Sequence, residues 1–205
     1  MSMPGRPTVW LVAGPDGVGK TTYAFCHIRT VAGAVRFVNL DEIARGLSPM
    51  DADAGRLEAA RIALDRIDAL LQTSGGSDFT IETTLAGLTY LRKLRGAVAR
   101  GWRLHLLYFA VASPEVALAR IARRVSEGGH TVPEVDARRR FDRSLVNVSR
   151  YVALSDLWPV FDNNGPQPPV VAEGRQGCLG YAGNVDGLPR GLRSALDKLP
   201  ACPES

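Results

Sequence analysis

The stretch VWLVAGPDGVGKTTYAF, Val9 to Phe25, changes character twice within a few residues. Val9 to Ala13 is an apolar run ending at a glycine, the pattern of a strand buried on both faces. From Lys20 onward the chain reads as a helix. Between the two lies Gly14, Pro15, Asp16, Gly17, Val18, Gly19, Lys20, Thr21 and Thr22, in which Gly14, Gly19, Lys20 and Thr21 satisfy G-x-x-x-x-G-K-[ST]. A strand before this motif and a helix after it are the context of a P-loop. The glycines let successive backbone N–H groups converge on phosphate oxygens, and the helix start adds the positive end of its dipole. Lys20 is placed to reach the β and γ phosphates and the Thr21 hydroxyl to ligate Mg²⁺. The expected ligand is therefore a nucleoside triphosphate, ATP or GTP, with Mg²⁺.

Working outward, strands and helices alternate. RFVNL reads as a second strand and DEIARG as a short helix broken at Ser48 and Pro49. Leu57, Ala60, Leu64, Ile67 and Leu71 recur at helical spacing, which predicts a helix from Gly55 to Thr73 burying that face. FTIET is a third strand, LTYLRKLRGAVARG a helix stopped at Gly101, and RLHLLYFAV a fourth strand. Ser113 and Pro114 supply an N-cap and a first-turn proline for EVALARIARRV, and another helix follows from about Pro133. WPVFDN and PVVAE close the pattern as short strands. Strands separated by helices imply an α/β fold, a doubly wound parallel sheet of P-loop kinase-like type with a helical, arginine-rich lid. The expected division is a P-loop domain over residues 1–173 and a Gly/Pro-rich tail over 174–205, with one weak amphipathic helix near RGLRSALDKL.

Composition narrows the class. The chain has 205 residues, 45% hydrophobic and 22% charged, enough for one well-buried domain. Apolar runs such as LHLLYFAVA fall short of the roughly 20 residues that cross a bilayer, so a cytoplasmic protein with no membrane partner is expected. Cys26, Cys178 and Cys202 match neither a disulfide framework nor a metal knuckle and are read as reduced thiols. The formal charge is only +4, and lysine is confined to Lys20, Lys93 and Lys198. The positive charge is mostly arginine, with one cluster of it between Arg120 and Arg143, and a planar guanidinium fork suits phosphate oxygens. No aromatic residues interleave with that cluster in the manner of base-stacking surfaces, which counts against a nucleic-acid partner.

A P-loop announces a nucleotide but not a reaction. Asp41 follows the second strand and Glu82 ends the third, so both lie at carboxyl ends of parallel strands, where open α/β sheets bind ligands. A carboxylate beside a triphosphate can take a proton from an acceptor hydroxyl or hold the substrate. The same residues also suit local roles, Asp41 as a helix cap and Glu82 as an acceptor for the following turn.

The segments GPDGVGKTT, FVNLDEIARG, FTIETTLAG and RRVSEGGHTVPEVDARRRFDRSL occur in the order seen in the zeta toxin family of P-loop kinases, which the chain resembles over about residues 9–163. The resemblance implies phosphorylation of a sugar hydroxyl of UDP-N-acetylglucosamine and a controlling antitoxin. It makes Asp41 the base, sets Glu82 and Thr84 beside the substrate, and matches Arg124 to a family arginine that reaches the phosphates. The chain departs from the pattern at Ala86 and Gly87, where the family motif continues into an arginine, and at His130, which replaces a second arginine. Arg140 is a candidate for the missing charge if Phe141, Leu145 and Val148 face the core, because it then lies at the edge of that face. His130 can serve as a neutral donor to the substrate or as a lid-loop residue. Two further readings share most of these residues: a kinase for another nucleotide, nucleoside or metabolite, and a nucleotide-binding regulatory module without catalysis.

Overall fold

The computed structural model describes residues 6–28, 36–51, 54–73, 76–129 and 131–203; His130 lies outside them. The apolar run at the start is strand β1, Thr8–Ala13, and it forms the middle of the parallel part of a seven-stranded sheet. Its neighbours are β3 (Phe79–Thr83) and β4 (Arg103–Ala110), both parallel to it. β2 (Phe37–Asn39) and β5 (Val160–Asp162) extend the parallel part on either side. Beyond β5 the sheet continues through β6 (Val170–Arg175) and β7 (Cys178–Ala182), giving the order β2-β3-β1-β4-β5-β6-β7.

Side-chain alternation along β1 divides the core in two. Val9, Leu11 and Ala13 join one cluster, whereas Val12 points into the other. The first is covered by α3 (Arg56–Gln72) and α4 (Thr89–Ala99), which bring in Ile67, Leu70, Leu91 and Leu94. The second packs beneath α1 (Lys20–Tyr23, continued by a π-helical turn over Ala24–Ile28) and α5 (Pro114–Ser126). Helix α6 (Glu134–Val152) serves both, Phe141 going to the second cluster and Val148 and Tyr151 to the first. This is the doubly wound arrangement expected from strand–helix alternation, with the chain leaving β1 and β3 in opposite directions along the sheet. The Ser113 hydroxyl caps α5 as the sequence implies, accepting from Val116 N at 3.4 Å with Pro114 in the first turn.

The carboxyl-terminal strands depart from the parallel expectation. β6 pairs antiparallel with β5 and β7 antiparallel with β6. A parallel partner needs a crossover of a dozen or more residues, and only the loop 163–169 separates β5 from β6. Gln176 and Gly177, with φ of 47° and 80°, make the two-residue hairpin to β7. The expected boundary after residue 173 falls inside β6. The segment beyond it supplies β7 and helix α7 (Arg190–Leu196), whose Leu192 and Leu196 enter the main core.

The helix over Arg56–Gln72 also differs from its predicted face. Ala59, Ala63, Ile67, Leu70 and Leu71 are its buried residues, while Leu57 is 69% exposed. The apolar arc is wider than the sheet can cover. Its Ala60 and Leu64 edge lines a cavity instead, and Leu57 lies a turn further along that edge. Helix α2, Leu40–Leu47, runs between β2 and α3.

Candidate functional site

Backbone geometry at the P-loop explains its glycines. Gly14 has φ of 140°, and a side chain there would run into the Phe109 carbonyl. Gly19 has φ of 88°, and a Cβ on it would stand 2.5 Å from Asn163 Nδ2. Asn163 itself donates to Val18 O at 2.6 Å, tying the loop after β5 to the P-loop. Lys20 opens α1 and is 7% exposed; its Nζ curls back to donate to Pro15 O at 2.6 Å.

Strand register builds the acidic side. Val12 is aligned with Glu82 across β1 and β3, and Glu82 with Asn39 across β3 and β2. Both Glu82 oxygens are engaged: Thr21 Oγ1 donates to Oε1 and Asn39 Nδ2 to Oε2, each at 2.8 Å. Burial raises the Glu82 pKa above its ordinary value; Lys20 and the two hydrogen bonds pull it down, and the Asp41 charge pushes it up. The folded state thus holds this proton more tightly than the unfolded chain. Ionising Glu82 costs stability, which falls as pH rises from the ordinary carboxylate range through the raised value. Glu82→Gln keeps an acceptor oxygen for Asn39 Nδ2 and places an amide N–H where the Thr21 hydroxyl can turn to accept; it has no charge to lose, so its melting temperature should lack that part of the fall. Thermal unfolding of nucleotide-free protein between about pH 4 and pH 7 tests this, and an unaltered profile would contradict it.

Asp41 is not the cap of its helix. Asn39 is, its Oδ1 accepting from Asp41 N at 2.8 Å and Glu42 N at 3.2 Å. The Asp41 carboxylate is left to the cavity, where Oδ1 stands 3.7 Å from Arg56 Nη1. Burial and the Asp41 charge together raise the pKa of the nearby Tyr90 phenol. Asp16, in the P-loop, is buried against Arg140, whose Nη1 donates to Oδ2 at 3.2 Å. Arg140 thus points to the P-loop from the edge of the face that carries Phe141.

Two cavities open here. One, about 480 Å³, runs along Gly17, Gly19, Thr21 and Thr22 to Arg120, Arg123 and Arg124 on α5. The other, about 260 Å³, lies between α2, α3 and the loop after β3 and includes Thr84. Asp16, Lys20, Asp41 and Glu82 line both, so they form the seam. The Thr84 loop is held by α6: Leu85, buried with φ of 56°, gives its carbonyl to Asn147 Nδ2 at 2.8 Å, and Tyr151 donates to Gly87 O at 3.3 Å. A leucine in that left-handed conformation needs such fixing. One helix therefore contacts both the P-loop and the second cavity's rim.

For a divalent cation, Thr21 Oγ1 and Glu82 Oε1 provide adjacent oxygen donors beside the phosphate cradle. This suits Mg²⁺, which takes one or two carboxylates and completes its shell with phosphate and water.

A family model described as an AAA domain matches residues 9–144. The chain belongs to the AAA domain family. This AAA-domain chain is 30% identical over 129 residues to an uncharacterised protein of Haemophilus influenzae, covering 62% of the chain and 88% of that relative. Its fold is similar to one from the PezAT chromosomal toxin–antitoxin system of Streptococcus pneumoniae, with a TM-score of 0.59, 16% identity, and coverage of 84% of this chain and 72% of that one. A chain of the AvrRxo1-ORF1:-ORF2 structure with ATP matches with a TM-score of 0.66 and 16% identity, over 98% of this chain and 65% of that one. At such identities the likeness is one of fold, and it is the zeta-toxin-like P-loop kinase fold that the motifs implied. No helix of the described residues is long and apolar enough to cross a membrane.

Sequence reasoning singled out Lys20, Asp41, Glu82, Thr84 and Arg124, and the AAA-domain structure brings all of them to the two cavities. It did not single out Asn39, Arg56, Tyr90 or Asn163. Asn39 carried a readable signal, since asparagine just before a helix starting LDE is a cap signature. Arg56, Tyr90 and Asn163 carry none, because only folding brings them to the two cavities.

Proposed function

We propose that this protein is an ATP-dependent phosphotransferase that moves the γ-phosphate to a hydroxyl of a small acceptor. The observation that carries the reading is the seam: the phosphate cradle and the second cavity share Lys20, Asp41 and Glu82. The triphosphate takes the arginine-lined cavity, with Lys20 leaving Pro15 O for the β and γ phosphates. Thr21 and Glu82 would hold Mg²⁺, which when bound would neutralise charge on the phosphate oxygens. Asp41, its backbone fixed by Asn39, accepts the proton of the acceptor hydroxyl. The acceptor oxygen then bonds to the γ-phosphorus, and the bond from that phosphorus to the β–γ bridging oxygen breaks. Arg124 meets charge developing on the transferred group, and Arg140 holds the P-loop through Asp16.

UDP-N-acetylglucosamine is the acceptor that the zeta toxin resemblance names, although Ala86 and Gly87 stand where the family motif supplies an arginine. An antitoxin partner is part of the same reading, supported by the toxin–antitoxin system among the fold neighbours. The test is γ-phosphate transfer from ATP to a panel of sugar nucleotides, nucleosides, sugars and bare water, repeated with GTP; nucleotide binding without transfer to any of them would reduce the protein to a binding module. Arg124→Ala should lower transfer by about 10²-fold with a much smaller change in ATP affinity. An unchanged rate would return Arg124 to an ordinary surface position.

A further inference from the structure

The cavity beside Asp41 is small and electrically balanced. At about 260 Å³ it falls below the roughly 300–1,000 Å³ of sites that hold drug-sized ligands. A nucleoside diphosphate sugar, with a base, two sugars and two phosphates, would extend out of it. An anionic acceptor would need a cation not already engaged. Among the described lining residues the cations are Lys20 and Arg56. Lys20 belongs to the phosphate cradle, and Arg56 faces the Asp41 carboxylate at 3.7 Å. The carboxylates at the seam are likewise partnered, Asp16 by Arg140 and Glu82 by Thr21 and Asn39.

The remaining walls are of two kinds. Thr84 and Thr89 present hydroxyls; the Thr84 oxygen accepts from Ala86 N at 3.4 Å, which leaves its own proton to donate. Ala60, Leu64 and the Tyr90 ring form an apolar side. Hydroxyls together with an apolar side complement a pyranose or an extended polyol, which carries hydroxyls at its rim and C–H groups on its faces.

We infer that this cavity takes an uncharged polyhydroxylated ligand of monosaccharide size, a neutral sugar or polyol, and that the Asp41–Arg56 pair discriminates against anionic ones. As an acceptor assignment this rests on the phosphotransferase reading, so binding and transfer are measured separately. Saturation-transfer NMR of the full chain with Mg²⁺ and a non-hydrolysable ATP analogue is run against neutral hexoses and hexitols, the matching hexonates and hexose phosphates, and UDP-N-acetylglucosamine. The same panel is assayed for γ-phosphate transfer from ATP. The expected result is binding of at least one neutral sugar or polyol in preference to every anionic compound. Leu64→Trp, which fills the apolar side, should abolish that signal while ATP affinity is retained, and the milder Thr84→Val should weaken it about fivefold. Neutral-sugar binding without transfer supports the cavity's assignment as a binding site and removes its assignment as the acceptor site. Preference for the hexonates, hexose phosphates or UDP-N-acetylglucosamine, or binding of none of the panel, overturns the inference.

Discussion

Lys20→Ala is expected to reduce phosphate transfer by at least about 10³-fold while leaving the fold intact. The side chain is nearly buried, yet its amine's hydrogen bond is to Pro15 O, inside the same loop. Truncation therefore removes a loop contact and not a piece of either core cluster, and alanine is a good helix former for the first turn of α1. The loss falls on charge. Among the described residues Lys20 is the side-chain cation that lines both cavities, so its removal takes positive charge from where negative charge moves onto the β-phosphate. ATP affinity should fall as well, because the ground-state triphosphate uses the same contact. Circular dichroism and thermal unfolding report the fold, calorimetry the affinity, and γ-phosphate transfer the rate. Turnover at the wild-type rate would remove the phosphate role from this loop.

Asp41→Asn separates catalysis from binding. Asparagine keeps the shape and reach of the side chain but neither its charge nor its ability to take a proton. Transfer should fall by about 10²-fold or more, with Mg²⁺ and ATP affinity preserved. The structure gives reasons to expect that preservation. The helix start is held by Asn39 through Asp41's backbone, and the Thr21–Glu82 pair, not Asp41, lies in direct hydrogen-bond contact beside the phosphate cradle. Calorimetry and the transfer assay on the same variant read the two outcomes. Loss of nucleotide binding as complete as the loss of transfer would reassign Asp41 to the metal. Loss of neither would leave the carboxylate without a part in the chemistry.

The P-loop, the alternation of strands and helices, and the proline-led start of α5 were legible in the sequence because each is a local property. A glycine spacing, an apolar period or a cap residue restricts the backbone of its own segment, whatever lies around it. Asp41 and Glu82 were legible for a related reason: the carboxyl end of a parallel strand is a position along the chain, and that position faces the crevice in any open α/β sheet. What each carboxylate does there depended on register. Asn39 reaches Glu82 only because β2 and β3 pair those two residues, and no period within either strand specifies the pairing of one with the other. The antiparallel end of the sheet followed from connection length, a consequence of where β5 stops and β6 starts. Arg140 on Asp16, Arg56 beside Asp41, and Asn147 on the Leu85 carbonyl join residues distant in sequence. Such contacts come into being only when helices pack at a particular rotation against the sheet, and that rotation is set by the whole core. The sequence by itself therefore determined the P-loop and the end of the sheet at which the candidate site lies. The tertiary structure alone decided which charges are already partnered, how small the second cavity is, and which groups meet at the seam.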